Sequence, residues 1–262
     1  MLNRPAETSG SSGYRSLQRG LQVLGLVQEQ GRLRISDISD QLGIPLSTVY
    51  RYVSVLRSSG FAHEIDGYLV AGERLAEGSD NSPHLVQMAA PILHRLRKET
   101  GMTAILTVRV HITAVCLDVS YAHPLHRVSF GRGQFRSLYA GASALPLLAY
   151  APKKVVRELL SGDLRSYTTA TLPPEMIDPY LRQVRAEGYA VSFGQITPGM
   201  AGVGVPVVVD GDCVCSLSLV GEELRFAEQL DDLVAALRVG ANELVVRMSS
   251  NTEEKGWGSS HE

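Results

Sequence analysis

Apolar side chains recur at helical spacing from Tyr14 onward. Leu17, Leu21 and Leu24 stand at i, i+4 and i+7, which predicts a helix with these three lining one face, broken at Gln28 to Gly31. Ile35, Ile38 and Leu42 repeat the spacing, with Ser36 as the expected N-cap, Asp37 in the first turn and Gly43 as the stop. Beyond Pro45, which suits a first helical turn, Val49, Val53 and Leu56 form a third stripe that ends at Gly60. The pattern then changes period. Phe61 to Ile65 and Tyr68 to Val70 flank Asp66-Gly67, a dipeptide that accepts the positive φ angles of a two-residue hairpin.

After a stretch rich in glycine, serine and charge around Gly72 to Pro83, in which Arg74 to Glu77 has helical character, a second region begins. Leu85, Met88, Ala89, Ile92, Leu93 and Leu96 predict a helix ending at Gly101, and Thr103 to Val110 with Thr113 to Val119 a β-branched hairpin. Helices are expected over Ala140 to Ala149, Pro152 to Leu160 and Pro174 to Glu187. A hairpin follows over Gly204 to Val209 and Cys213 to Val220, and a closing helix over Phe226 to Met248. Helices bracketing paired strands without βαβ alternation indicate an α+β fold with an antiparallel sheet. The expected division is a disordered tail over 1–13, a helical and hairpin domain over 14–72, a linker over 73–82, an α+β domain over 83–248 and a second tail over 249–262.

Composition excludes more than it selects. In 262 residues, 44% are hydrophobic and 20% charged, as in globular proteins. Twenty-five basic against 27 acidic residues give a net charge of −2, too balanced for a chain that coats nucleic acid or membrane along its length. The N-terminus lacks the apolar core of a secretory signal, and no apolar run reaches the roughly eighteen residues that span a bilayer. A cytoplasmic protein without membrane association is expected, and its three cysteines are expected to be reduced.

Ile35 to Ser54 has the helix, glycine turn and helix of a helix-turn-helix, in which the second helix offers its polar N-terminal residues to a major groove. With Val49, Val53 and Leu56 inward, Ser47, Thr48, Tyr50, Arg51 and Ser54 face solvent and suit phosphate or base edges. The hairpin at Asp66-Gly67 would be a wing. Between Tyr14 and His63, six arginines (Arg15, Arg19, Arg32, Arg34, Arg51, Arg57) stand against Glu29, Asp37 and Asp40, a local balance of +3. The alternative is a stand-alone metabolite-binding or protein-interaction module with a solvated arginine face and no operator binding. The charge and spacing favour double-stranded DNA.

Leu17 to Leu75 resembles the winged helix-turn-helix of the isocitrate lyase regulator (IclR) family of bacterial transcription factors, in Arg19, in Ser47-Thr48-x-x-Arg51 and in Gly60 before the wing. The resemblance continues through Gly133, Leu138 to Ser143 and Leu147 to Pro152, then Thr168 to Leu172, Arg185 to Ala190, Pro198-Gly199 and Val205 to Val207. It spans about Tyr14 to Met248. It implies DNA contact by Arg19, Ser36, Ser47, Thr48, Tyr50, Arg51 and Ser54, a linker helix, a GAF-like effector-binding domain, and a homodimer or dimer of dimers. By position, the small organic effector would meet Leu138, Gly141, Ala142, Ser143, Ser192, Gly202, Ser218 and Val220. Ser192 and Gln195 replace acidic residues common in the family, and Gly202 and Val220 replace polar ones.

Other candidates carry less. Cys213 and Cys215, two apart on a strand, should face one side and could be imagined with Cys116 as a metal site, but small buried thiols explain them better. His111, His123 and His126 read as loop residues. Gly141-Ala142-Ser143 lacks the second glycine of a nucleophile elbow, so neither catalysis nor a cofactor is expected. The small residues Ala140 to Ala144 suit close packing as well as they suit a pocket. Among the carried-over positions are hydroxyls but no cation, and strand alternation is expected to turn Val108 and Val110 toward the pocket and Arg109 away. That reading predicts an apolar or aromatic effector.

Overall fold

The computed structural model describes residues 9–30, 32–72, 82–123, 130–162, 164–226 and 228–256. The chain forms two compact units, Met1–Gly78 and Ser79–Glu262. Arg74 to Glu77 and His126 lie outside the described residues.

In the first unit, α1 (Ser9–Gln30) begins inside the stretch expected as a tail. Its buried residues are Val23 and Val27, both at 0% exposure, whereas Leu17 and Leu21 are 64% and 58% exposed. The expected leucine stripe is therefore not the packed face. The helix carries two apolar stripes, and the valines, one turn apart, are the set that is fully buried. β1 (Arg32–Leu33) is a short strand that apolar periodicity does not announce. α2 (Ile35–Leu42) and α3 (Leu46–Ser58) bury Ile35, Ile38, Val49 and Val53 against each other and α1.

Ser36 is not the N-cap of α2; that position is Arg34, in extended conformation. The Arg34 N–H donates to Asp37 Oδ2 at 3.3 Å, so the acid at the third helical position satisfies an orphan donor and no capping hydroxyl is needed. Gly43 ends the helix at φ 60° as expected. β2 (Ala62–Ile65) and β3 (Tyr68–Ala71) form the hairpin, with Asp66 and Gly67 at φ 53° and 80°, and β1 adds to β3 to give the order β1-β3-β2. Arg57 at the end of α3 bonds Glu64 of the hairpin at 2.8 Å.

The second unit has six antiparallel strands in the order β6-β5-β4-β9-β8-β7: β4 (Thr103–Val110), β5 (Thr113–Ser120), β6 (Phe135–Ser137), β7 (Ala190–Phe193), β8 (Met200–Val209) and β9 (Asp212–Glu222). One core joins α4 (Ser82–Thr100) and the long α9 (Leu230–Gly256) to the sheet through Ile92, Leu96, Leu217 and Leu237; a short α8 (Glu223–Phe226) precedes α9. A second core contains Ile105, Leu138, Tyr139, Leu145, Leu148, Ile177 and Leu181, from β4 and from α5 (Leu145–Ala149), α7 (Pro174–Glu187) and the turns before α5. α6 (Lys153–Leu160) adds Leu159 to it. α9 runs past Met248, where Ser249 and Ser250 hydroxyls donate back to Val245 and Val246 carbonyls. Among the described residues no helix is long and apolar enough to cross a membrane.

Two expectations fail here for local reasons. The helix read over Ala140 to Ala149 is helical only from Leu145, because Gly141 takes φ 84° and its carbonyl accepts the Ala144 and Leu145 N–H groups at 3.1 Å, making residues 138–144 a series of turns. Cys213 and Cys215 do not share a face. A bulge pairs Val207 with Cys215 but Val208 with Cys213, so one extra residue, Val214, reverses the alternation. Cys215 joins the core under α4 and α9, and Cys213 packs with the opposite one.

Candidate DNA-reading surface and effector cavity

On the first unit, Pro45 opens α3 at φ −53°, and the stripe of Val49 and Val53 fixes which side faces out. Ser47, Tyr50, Arg51 and Ser54 are exposed, Tyr50 at 54%, and Thr48 is half-buried. Arg19 and Ser36 are exposed on α1 and α2. Sequence reasoning missed a cluster at the hairpin: the Arg32 and Arg34 guanidiniums lie 4.1 and 5.1 Å from the Tyr68 ring centroid, and Arg34 donates to Tyr68 Oη at 3.1 Å. The hairpin tip itself is acidic, with Glu64 and Asp66.

The second unit holds a cavity of about 190 Å³. Of the positions expected to meet an effector, Gly141, Ala142, Ser143, Ser192, Gly202 and Val220 line it. Leu138 and Ser218 do not: Leu138 is wholly buried in the core beside α5, and Ser218 sits one layer back, its Oγ 2.7 Å from Ser143 Oγ. Ile105, Phe130, Arg136, Gln195, Ile196, Thr197, Met200 and Ala201 complete the wall. Small residues on β8 let the 141–143 turn close over the sheet. A Cβ at Gly204 would stand 2.1 Å from the Ala142 carbonyl oxygen, and one at Gly202 3.3 Å from Ala142 Cβ.

Side chains then pin the turn. The Gly141 N–H donates to Gln195 Oε1 at 3.0 Å, the Ala142 N–H to Ser192 Oγ at 3.1 Å, and Ser216 Oγ to the Ser143 carbonyl at 2.6 Å. The Thr168-to-Thr171 turn secures the opposite wall. Thr168 Oγ1 donates to the Gly194 carbonyl and Thr171 Oγ1 to that of Gln195, both at 2.7 Å, while Thr171 Oγ1 accepts the Tyr167 and Thr168 N–H groups. Each serine and threonine named here therefore has a protein partner, and the charge in the wall comes from elsewhere.

It comes from Arg136 on β6, which is not among the positions that the resemblance carried over. Its guanidinium lies 4.4 Å above the Phe130 ring, and burial pushes its pKa down to about 10. It stays protonated at neutral pH. No acidic residue lines the cavity among the described residues. Arg109 is outside the cavity as expected, but not by strand alternation. Val108 packs in the core under α4 and α9, so Arg109 shares the sheet face of Ile105 and is simply too far along β4, its Nη1 donating to the His111 carbonyl at 2.9 Å. Neither Val108 nor Val110 lines the cavity.

The remaining candidates fall elsewhere. His111 Nδ1 lies 3.8 Å from Glu158 Oε1, and neither His111 nor His123 lines the cavity. Burial raises the thiol pKa of Cys116 to about 12 and of Cys213 to about 11, and that of Cys215 rises as well. Among the described residues no group of three or more His, Cys, Asp or Glu is placed to hold a metal.

Residues 16–65 match the IclR helix-turn-helix domain, and residues 80–246 the bacterial transcriptional regulator IclR C-terminal domain. The chain belongs to the IclR family. It is a helix-turn-helix transcriptional regulator with an effector domain, as the resemblance read from its residues implies. It is 31% identical over 253 residues to the HTH-type transcriptional regulator BhcR of Paracoccus denitrificans, covering 93% of this chain and 90% of that protein. The Thermotoga maritima IclR structure superposes with a TM-score of 0.60 at 26% identity, over 89% of this chain and 98% of that one. An IclR homologue from Microbacterium hydrocarbonoxydans, crystallised with 4-hydroxybenzoate, superposes with a TM-score of 0.62 at 26% identity, over 90% and 99%.

Proposed function

We propose that this IclR-family chain is a cytoplasmic homodimer, or dimer of dimers, that binds a near-palindromic operator and is switched by a small organic effector in the cavity of its second unit. The cavity carries the reading: a concave space walled by a pinned turn, in a chain whose other unit exposes a polar recognition helix. The Microbacterium relative bound to 4-hydroxybenzoate supports a small organic molecule as the occupant.

In this reading Arg51 and Tyr50 reach base edges, Ser47, Thr48 and Ser54 reach edges or phosphates, and Ser36 and Arg19 bind the backbone. Arg32 and Arg34, held on Tyr68, add phosphate contacts beside the start of α2, where the acidic hairpin tip cannot. One recognition helix reads only a few base pairs, so two subunits engage half-sites about 34 Å apart or a multiple of that. Gly141 to Ser143, Ser192, Gly202 and Val220 contact the effector, while Leu138 and Ser218 support the wall from behind. No catalytic step and no cofactor are part of this function.

Footprinting of the full chain on the DNA upstream of its own reading frame, at physiological salt, tests the DNA half. A protected site with two-fold symmetry is expected. An asymmetric site bound at full affinity by a monomer would overturn the dimer, and no protection at any site would favour a metabolite-binding protein without an operator.

A further inference from the structure

We propose that Leu46 is a specificity-determining residue of the DNA-reading surface, recognising the C5-methyl group of one thymine in each half-site. The inference rests on α3 being the recognition helix. Leu46 is the first residue of that helix and is 44% exposed; Tyr50, one turn on, is 54% exposed. Residues four apart are neighbours on a helix surface, so the two form an apolar ridge at the end of α3 that a helix-turn-helix inserts into the major groove. Neither belongs to the stripe that packs the helix onto the unit, which is Val49 and Val53, at 0% and 2% exposure.

The backbone fixes where Leu46 points. Side chains of an α-helix lean toward its N-terminus, so one at the first position projects ahead of the first turn. That turn is closed by the Pro45 carbonyl, which accepts the Thr48 and Val49 N–H groups at 2.8 and 3.1 Å, and Pro45 itself is held at φ −53°. Every base pair offers hydrogen-bonding groups in the major groove, but only thymine presents an apolar one, its C5-methyl. A leucine placed over a donor or acceptor would strip it of water and give nothing back, whereas against the methyl both partners bury apolar area. Ser47, Arg51 and Ser54, exposed on the same helix, remain for base edges and phosphates. Val55, although 62% exposed, has no such role: nine residues past Leu46, it lies about half a turn around the helix and roughly two and a half turns from its leading end.

Deleting methyl groups one position at a time provides the test. The operator found by footprinting is synthesised with deoxyuridine in place of each thymidine, a change that removes only the C5-methyl, and the full chain is titrated with each by fluorescence anisotropy at fixed salt. One symmetric pair of thymines is expected at which substitution in both half-sites weakens binding about fifteen-fold, or roughly four-fold for each half-site. Leu46→Ala should weaken binding to the thymine operator by a similar factor and bring thymine and uracil operators to within about two-fold, while Leu46→Met keeps most of the preference. Should Leu46→Ala fail to fold in a circular-dichroism melt, Leu46→Gln, which keeps the length and the helix propensity, must lose the preference in its place. A wild type indifferent to uracil at every thymine, or a preference undiminished in the variants, would overturn the role of Leu46 while leaving the operator and Arg51 in place. If no site is protected at all, the reading of α3 and the role of Leu46 fall together.

Discussion

The two units place their working residues on opposite sides of the same physical divide. In Met1–Gly78 the residues proposed to act, Arg19, Ser47, Tyr50, Arg51 and Ser54, are exposed, while Val23, Ile38, Val49 and Val53 hold the fold. In Ser79–Glu262 the proposed effector contacts Ser143 and Ser192 are themselves buried, and each is bonded to the chain segments that close the wall. Function and stability are separable in the first unit and coupled in the second. A surface can be rewritten for a new operator at little cost to folding, whereas a new effector requires a repacked interior.

The largest effect that would sharpen this contrast is at Gly204. Its Cβ would overlap the Ala142 carbonyl oxygen at 2.1 Å, so Gly204→Ala should cost about 3 kcal/mol of stability and abolish effector binding at once. Denaturant melts read alongside effector titration check it, and a variant of wild-type stability that has lost only binding would break the proposed coupling. Arg51→Ala should do the reverse, costing about 1–3 kcal/mol of operator affinity with an unchanged melt. Unchanged affinity in a salt-matched titration would remove Arg51 from the reading surface.

A smaller effect is expected at Thr171, whose hydroxyl donates to the Gln195 carbonyl and accepts two N–H groups. Thr171→Val keeps the shape and should cost about 1–2 kcal/mol of stability, with several-fold weaker effector binding as Gln195 and Ile196 loosen. A melt shift without an affinity shift would separate the two properties. Smallest of all is the effect of the thiols. Burial holds Cys116 and Cys213 at about 12 and about 11, above an ordinary value of 9.0. The unfolded chain therefore binds fewer protons than the folded one from about pH 9 upward, and these groups make stability fall as pH rises through that window. At pH 8 a chromogenic disulfide reagent should leave all three cysteines unmodified in the native protein and titrate three in denaturant; rapid native modification would place a thiol outside the core.

The helix-turn-helix was legible because its signals are local. Gly43 and Asp66-Gly67 demand backbone conformations that almost any fold would have to honour, and Val49 and Val53 recur at the spacing of a buried stripe. The antiparallel α+β class followed in the same way from the order of strand-like and helix-like runs. Less of the cavity was legible. Gly141 to Ser143, Ser192, Gly202 and Val220 were reached through resemblance, but Arg136 carried no signal, since one arginine near a short strand has no periodicity to mark it.

What the sequence by itself determined about this protein is the set of elements and their turns, because hydrogen bonds between near neighbours, glycine conformations and apolar periodicity act within one or two turns of chain. Tertiary structure alone decided what each element packs against and, where the sequence offered more than one apolar face, which of them was buried. Val23 and Val27 were chosen over Leu17 and Leu21 by the residues that α1 packs against. A single bulge residue, Val214, turned Cys213 away from Cys215. β6 paired with β5, and the residues that pairing brought around Arg136 come from as far along the chain as Val220. Contacts between residues so far apart in sequence are fixed by shape and burial in three dimensions, and a one-dimensional pattern does not encode them.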